Sequence, residues 1–244
     1  MGWITNAKHN TDNVKKTAPK KLKKRNLNVN ETKTEEYTVT RNGDEAWKDC
    51  KYLGSKLDTE KDINRRKGLA ICTYNKISNI LQHKKLSINL KIRAFRTYIE
   101  SIFLYNSEIW TLTKSLSNKV DVFQRKLLRR MLNIKWQDKV TNEDLYRRTK
   151  LTPWSTTIKG RRISFYGHVM RLPEDTPVRK AIDEAKRAVK MPRGQQKLTW
   201  LKLVERDLKE LGIEGDGMGI AQDRLIWRKL VTRAMSAHAD GKRY

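Results

Sequence analysis

The chain has 244 residues, of which 54 are lysine or arginine and 27 are aspartate or glutamate, so its formal net charge is +27. An excess of this size repels itself unless an acidic partner neutralises it, which makes nucleic acid the leading partner class, ahead of acidic protein or a membrane surface. No apolar run approaches the roughly 20 residues of a membrane span, and the N-terminal sequence MGWITNAKHN is too polar for a secretory signal.

Cysteine and histidine usage argues against a disulfide framework and against a zinc site. The only cysteines are Cys50 and Cys72, too few for a framework, and they indicate a reducing compartment. The four histidines are scattered and have no metal-ligand spacing with either cysteine.

The first 60 residues combine a basic arm with strand patterns. Residues 1–25 contain eight lysines and arginines against the single acid Asp12, and we interpret them as a solvated arm. Tyr37 and Val39 alternate with threonines, as in a half-buried strand. Asn42-Gly43 predicts a hairpin turn, with a return strand at residues 48–53 that ends at Gly54-Ser55.

From Glu60 onward the apolar residues follow a helical period, and they predict three amphipathic helices that pack as a bundle. Ser87 is the predicted N-cap of the second helix, and Ser115 or Ser117 that of the third. Pro153 separates a last block of three helices, with a turn at Pro173, a loop at MPRGQQ and a glycine-rich link. The apolar positions of the first three helices are Ile63, Ala70, Ile71, Tyr74, Ile77 and Leu81, then Ile88, Ile92, Phe95, Ile99 and Ile102, then Leu116, Val120, Phe123, Leu127, Met131 and Ile134.

The residues themselves predict no enzyme. Polymerases and nucleases use clustered carboxylates to hold a pair of divalent metals, and this chain has no Asp-Asp pair. It also lacks a Gly-rich phosphate loop and a Gly-x-Ser-x-Gly motif. Its acids stand mostly beside lysine or arginine, as surface ion pairs do.

Two basic helix faces are candidates for contacts to nucleic-acid phosphates. The residues of each face are spaced so that they lie on one side of a helix. For each face, the alternative to nucleic-acid binding is an ordinary solvated surface. Trp136 and Trp154, which flank basic helices, are the best candidates for stacking on bases, whereas most of the seven tryptophans should be core residues. The first face comprises Arg161, Ser164, His168 and Arg171, and the second comprises Arg125, Lys126, Arg129 and Arg130.

Several segments in a fixed order carry a resemblance to a known family. They are LNVNETKTEEY, KYLGSKL, RRKGLAICTYNKI, IRAFRTYIESIFLYNSEIW, VDVFQRKLLRRML and RRISFYGHVMRL. Together they resemble the C-terminal part of the reverse transcriptase of non-LTR retrotransposons, of the endonuclease-reverse transcriptase type. The resemblance covers roughly residues 1–210.

The resemblance implies a mainly helical fold with a small β hairpin: the remaining edge of a polymerase palm (1–59), a thumb-like helical bundle (60–149) and a basic helical C-terminal region (150–244). In KYLGS, it implies that Tyr52, Leu53, Gly54 and Ser55 form the primer grip. Lys33 matches the family lysine that has been proposed to protonate the leaving pyrophosphate. The implied partners are an RNA template and a DNA target or primer, in the nucleus, the cytoplasm or both.

The chain departs from the family pattern at the catalytic motif. The family's Tyr-x-Asp-Asp box should end just before WITNAKHN, where this chain begins with Met1-Gly2. We therefore expect no Mg²⁺ site and no polymerisation by this chain alone, although the intact family enzyme uses Mg²⁺. Two hypotheses stay open: a fragment of a reverse transcriptase, or a non-catalytic nucleic-acid-binding protein derived from a retroelement, with a function of its own.

Overall fold

A computed structural model of the chain describes residues 17, 19, 20, 22–24, 51–187 and 198–236. These residues are mainly helical, and their strands form one two-stranded antiparallel hairpin, which confirms the predicted class at this level. The assignment of palm and thumb stays a prediction. The chain divides into two compact units, Met1–Lys61 and Asp62–Tyr244.

The described hairpin of the first unit turns at a place that the sequence analysis took for a strand end. Strands β1 (Lys51–Tyr52) and β2 (Ser55–Lys56) pair antiparallel across Leu53 and Gly54. Both turn residues have left-handed φ angles, 46° and 81°, as a type I′ turn requires. The predicted strand does end just before Gly54, at Tyr52, but Ser55 begins a second strand that the sequence analysis did not predict. The predicted turn at Asn42-Gly43 lies outside the described residues.

Helices build the rest of the described chain. At the start of α1, Asp58 Oδ1 accepts a hydrogen bond from the Lys61 amide at 2.8 Å. A π-helical segment, Phe95–Glu100, joins α3 to α4, and single 3₁₀ turns lie at Ser107–Ile109 and Trp136–Asp138. The α-helices are α1 (Thr59–Lys76), α2 (Ser78–Leu81), α3 (Ile88–Ala94), α4 (Ser101–Phe103), α5 (Lys114–Met131), α6 (Asn142–Thr149), α7 (Trp154–Met170), α8 (Pro177–Arg187), α9 (Trp200–Glu210), α10 (Met218–Gln222) and α11 (Arg224–Ser236).

The N-caps of these helices test the predictions directly. Ser87 Oγ accepts from the Leu90 amide at 3.4 Å, which confirms the cap predicted for α3. The prediction for α5 is wrong, because Thr113 Oγ1 accepts from the Leu116 amide at 3.2 Å. Ser115 and Ser117 consequently lie inside the helix, one and three residues past its start.

The first hydrophobic core joins the three predicted apolar stripes to the beginning of α7. Phe103 and Trp154 stack at its centre, with ring centroids 4.3 Å apart and planes 17° from parallel. The side chain of Trp154 is fully buried, so the prediction that it stacks on bases is wrong. Ile71, which the periodicity placed on the buried stripe, is 41% exposed.

Helix α7 also contributes to a second core, which it forms with α8, α9, α10 and α11. Ile158 belongs to the first core, whereas Ile163 and Val169 belong to the second. Trp227 packs against Gly167 and donates its Nε1–H to the Ile163 carbonyl at 3.0 Å. The domain boundary predicted near residue 150 stays a prediction, but the helix after it is shared by both cores.

Two elements of this second core were not predicted from the sequence. Helix α8 follows the predicted turn at Pro173, and it is fixed by the buried Arg179, which donates to the Met170 carbonyl at 2.8 Å and to Asp183 Oδ2 at 3.0 Å. The predicted glycine-rich link instead contains α10, which includes Gly219. The predicted MPRGQQ loop lies outside the described residues, and within the described chain no helix is long and apolar enough to cross a bilayer.

Candidate nucleic-acid interface

A surface pocket on α5 gathers the four basic residues of one predicted face. Arg125, Lys126, Arg129 and Arg130 line it together with Val122, Ile134 and Asn142. We call this set the α5 groove. Lys126 and Arg130 are exposed, because they follow Val122 at intervals of four on the outer face of the helix. None of the lining residues is acidic, so the lining carries four cationic side chains and no carboxylate, which favours an anionic ligand.

Hydrogen bonds hold two guanidinium groups of the α5 groove in place. Arg129 Nη2 donates to Asn142 Oδ1 at 2.8 Å and to the Val140 carbonyl at 3.3 Å. Arg130 Nη1 donates to Asn75 Oδ1 at 3.0 Å, and its Cζ lies 4.8 Å from the centre of the Tyr74 ring. A guanidinium has five N–H donors, so these bonds orient each group and leave most of its donors for an anion.

A buried glutamine beneath the groove fixes the relative positions of α5, α6 and α7. Gln124 Oε1 accepts from the Tyr146 hydroxyl at 3.1 Å and from the Trp154 amide at 2.9 Å, while its Nε2 donates to the Thr152 carbonyl at 2.9 Å. Sequence reasoning missed Gln124, because a glutamine in a charged helix is usually exposed. Its position four residues before Leu128, on the apolar face, was the available signal.

The Tyr146 hydroxyl in this network should make the free energy of unfolding decrease at alkaline pH. Burial, reinforced by the charge of Asp121, raises the pKa of Tyr146 to about 12. An unfolded tyrosine ionises near pH 10, so the contribution of Tyr146 is fully present below about pH 10 and is lost as the pH rises through about 12. We expect the free energy of unfolding, measured in urea at a series of alkaline pH values, to fall over this range in the wild-type chain. The fall should be smaller in Tyr146→Phe, which has no hydroxyl to ionise. Equal losses in both would contradict the assignment.

An exposed tryptophan follows the α5 groove. The side chain of Trp136 is 86% exposed, and it lies two residues after Ile134, which lines the groove. Its 3₁₀ turn is fixed by a hydrogen bond from the Lys135 amide to Asp138 Oδ2 at 2.7 Å. Lys135 precedes Trp136 in the sequence, Lys139 follows three residues later, and both are also exposed. The prediction of Trp136 as a stacking residue therefore has the exposure that it requires.

A second basic segment is held against the C-terminal end of α5. Asn133 Nδ2 donates to the Gln82 carbonyl at 3.2 Å, which holds the loop after α2 against the end of α5. The loop continues with exposed His83, Lys84 and Lys85. Sequence reasoning did not single out these three residues, because 51 positions separate Gln82 from Asn133.

The other predicted basic face, on α7, is partly engaged within the protein. Arg161 Nη1 donates to the Leu104 carbonyl at 2.6 Å, and Arg171 Nη1 donates to the Ala221 carbonyl at 2.8 Å. Both carbonyls belong to the ends of short helices, where main-chain acceptors lack helical partners. Ser164 and His168 are exposed on the same helix. A binding role for this face stays a prediction, since its two arginines already serve a structural purpose.

The residues of the predicted primer grip lie on the hairpin of the first unit. Tyr52 and Leu53 are 47% and 71% exposed, whereas Ser55 is buried. Gly54 occupies the second turn position. Lys33 lies outside the described residues. Within residues 51–187 and 198–236, no three His, Cys, Asp or Glu side chains come together as a group that could hold a metal ion.

The chain is similar to a protein of Caenorhabditis elegans whose name describes it as uncharacterized and transposon-derived. That protein is 23% identical to this chain over 197 residues, which cover 75% of this chain and 69% of the relative. This similarity supports a transposon-related origin. No known family matches the chain, and no solved structure is significantly similar to it.

Proposed function

We propose that this chain is a C-terminal part of a non-LTR retrotransposon reverse transcriptase, and that it binds RNA and DNA without catalysing polymerisation. The transposon-derived relative and the order of the sequence motifs support the origin. The net charge of +27 supports a polyanionic partner. In this proposal, the α5 groove binds phosphates and Trp136 stacks on an unpaired base.

The observation that carries the proposal is the exposure of Trp136, which follows the groove residue Ile134 by two positions. A tryptophan that is 86% exposed loses apolar burial, and an exposed ring in a basic segment gains most from a ligand with flat apolar faces and negative charges. Single-stranded nucleic acid offers both, since bases stack on aromatic side chains while the phosphates meet the cations. Contacts of this type are tolerant of sequence, so we expect little sequence preference.

Two sets of variants separately test base stacking on Trp136 and phosphate contacts in the α5 groove. Stacking is worth about 1–3 kcal/mol per base, so Trp136→Ala should weaken binding to single-stranded RNA or DNA about five- to a hundredfold. Trp136→Phe should retain most of the affinity. The double variant Lys126→Ala with Arg130→Ala removes two phosphate contacts, and the log–log salt slope should become shallower by about 1.4. Fluorescence anisotropy with labelled oligonucleotides measures both quantities.

The control for lost charge is the double variant Arg228→Ala with Lys229→Ala, because both side chains are exposed on α11. This double variant should change affinity and salt slope only slightly. If it weakened binding as much as the α5-groove variant, charge alone would explain the result and the groove would have no special role. Wild-type affinity in Trp136→Ala would remove the stacking contact from the proposal.

A further inference from the structure

A second basic pocket lies where the π-helical segment approaches the end of α6. Its lining includes three cationic side chains, Arg93, Arg96 and Lys150, and no acid. Asn89, Thr97 and Thr149 add polar groups. All three cations are exposed. We call this set the π-helix pocket, and sequence reasoning selected none of its polar or cationic residues.

Local backbone geometry, together with the packing of α6 beside α3, places these cations together. The π-helical segment Phe95–Glu100 carries Arg96, and single π-helical turns within α-helices are frequent at functional sites. Arg93 lies in the last turn of α3, where its carbonyl accepts from Thr97 Oγ1 at 2.9 Å. Lys150 follows α6 with a left-handed φ of 50°, which ends the helix.

Charge balance in the π-helix pocket favours an anion. The acid that interacts with Arg96 is Glu100, on the same segment, and Glu100 also interacts with Arg161. Its burial raises the pKa of Glu100, which both arginines oppose. Glu100 therefore offsets part of the charge of Arg96, and Arg93 and Lys150 add two further positive charges to the pocket.

Helix α6 relates the π-helix pocket to the α5 groove. Asn142, its first residue, lines the α5 groove, and Thr149, its last, lines the π-helix pocket. Residues seven apart lie on the same helical face, and a rise of 1.5 Å per residue separates them by about 10 Å. The two pockets therefore lie at opposite ends of one short, fixed helix.

We propose that the π-helix pocket binds a second phosphate of the same nucleic acid, so that the ligand has to bridge the two ends of α6. This inference rests on the proposed function, because it assigns the α5 groove to the first phosphate. A duplex strand advances about 3.4 Å along its axis per phosphate, and a single strand is more extended, so a span of about 10 Å needs at most roughly three nucleotides. A mononucleotide, with its single phosphate group, can occupy only one of the two pockets.

The test combines a length series of oligothymidylates with a triple variant of the full chain, Arg93→Ala, Arg96→Ala and Lys150→Ala. The control triple variant, Arg228→Ala, Lys229→Ala and Arg233→Ala, removes three exposed cations from α11. For the wild type, we expect affinity to rise steeply once the oligonucleotide exceeds about three nucleotides. The pocket variant should lose that rise and bind long oligonucleotides at least about tenfold more weakly than the control, with a salt slope shallower by about 0.7, the value for one lost phosphate contact.

The outcomes separate this inference from the proposed function. If the wild type binds, the α5-groove variant is weakened, and the two triple variants behave alike, then the π-helix pocket makes no contact and only this inference fails. If the wild type binds no oligonucleotide of any length, the proposed function itself fails. Circular dichroism and urea unfolding of both triple variants verify that the fold is retained.

Discussion

Replacing Asp207 with alanine should lower the free energy of unfolding by about 3–5 kcal/mol, because it leaves the Arg162 charge buried without its partner. Arg162 and Asp207 are 4% and 2% exposed. Asp207 Oδ2 accepts from Arg162 Nε at 2.8 Å and from Nη2 at 2.6 Å. The pair joins α7 to α9, so its disruption should loosen the second core. Urea unfolding followed by circular dichroism measures the loss.

Removing both charges together should be far less harmful than removing one. Burial raises the pKa of Asp207, and Arg162 opposes this shift without overcoming it, so desolvation outweighs the attraction within the pair. Replacement of a buried ion pair by apolar residues of similar size is often neutral or stabilising. We therefore expect Arg162→Met with Asp207→Leu to recover most of the stability that Asp207→Ala loses. A double variant as unstable as the single one would show that the pair is needed for more than charge balance.

The second large effect should come from a single added methyl group on α7. A Cβ atom at Gly167 would lie 2.0 Å from Trp227 Nε1, the atom that donates to the Ile163 carbonyl. Gly167→Ala therefore has to displace the indole and break that hydrogen bond. Overpacking of a core costs about 1–3 kcal/mol or more, and loss of a buried hydrogen bond about 1–3 kcal/mol further. We expect a lower urea midpoint and an altered tryptophan emission.

The matched control is the same substitution at Gly68, in the middle of α1. No atom lies within 4 Å of a Cβ placed there, and the residue is exposed. Because alanine favours a helix interior over glycine by about 1 kcal/mol, Gly68→Ala should raise stability slightly. Opposite signs for the two substitutions are the expected result. Destabilisation of similar size at both positions would contradict the packing argument for Gly167.

Local patterns in the sequence were sufficient for the main helical stretches around the first core, but not for α6, which contributes Leu145 to it. The apolar stripes of α1, of α3 with the π-helical segment that follows it, and of α5 repeat at helical intervals, and their buried members include Tyr74, Phe95 and Leu127. Ser87 was found as an N-cap because capping depends on a few adjacent residues. The cap of α5 was misplaced by two to four residues, since serine and threonine compete for this role and only the backbone geometry decides between Thr113 and its neighbours.

The candidate site could be predicted only in part. The basic residues of the α5 groove are close in sequence, so helical spacing brought them together. The π-helix pocket could not be found in this way, because Arg93 and Lys150 are 57 positions apart and meet only when α6 packs beside α3. The tryptophans show the same limit: Trp136 and Trp154 both flank basic helices, yet one is 86% exposed and the other is fully buried.

The sequence by itself determined the helical character, the positive charge and the basic face of α5, because these depend on composition and on residues a few positions apart. The tertiary structure alone decided which polar groups are buried and which cations have partners. Three arginines of α7 and its C-terminal end show this, because each contacts a different distant residue. Arg161 donates to the Leu104 carbonyl, Arg162 to Asp207, and Arg171 to the Ala221 carbonyl. Contacts between residues this distant in the chain are set by how the helices pack, and no local pattern encodes them.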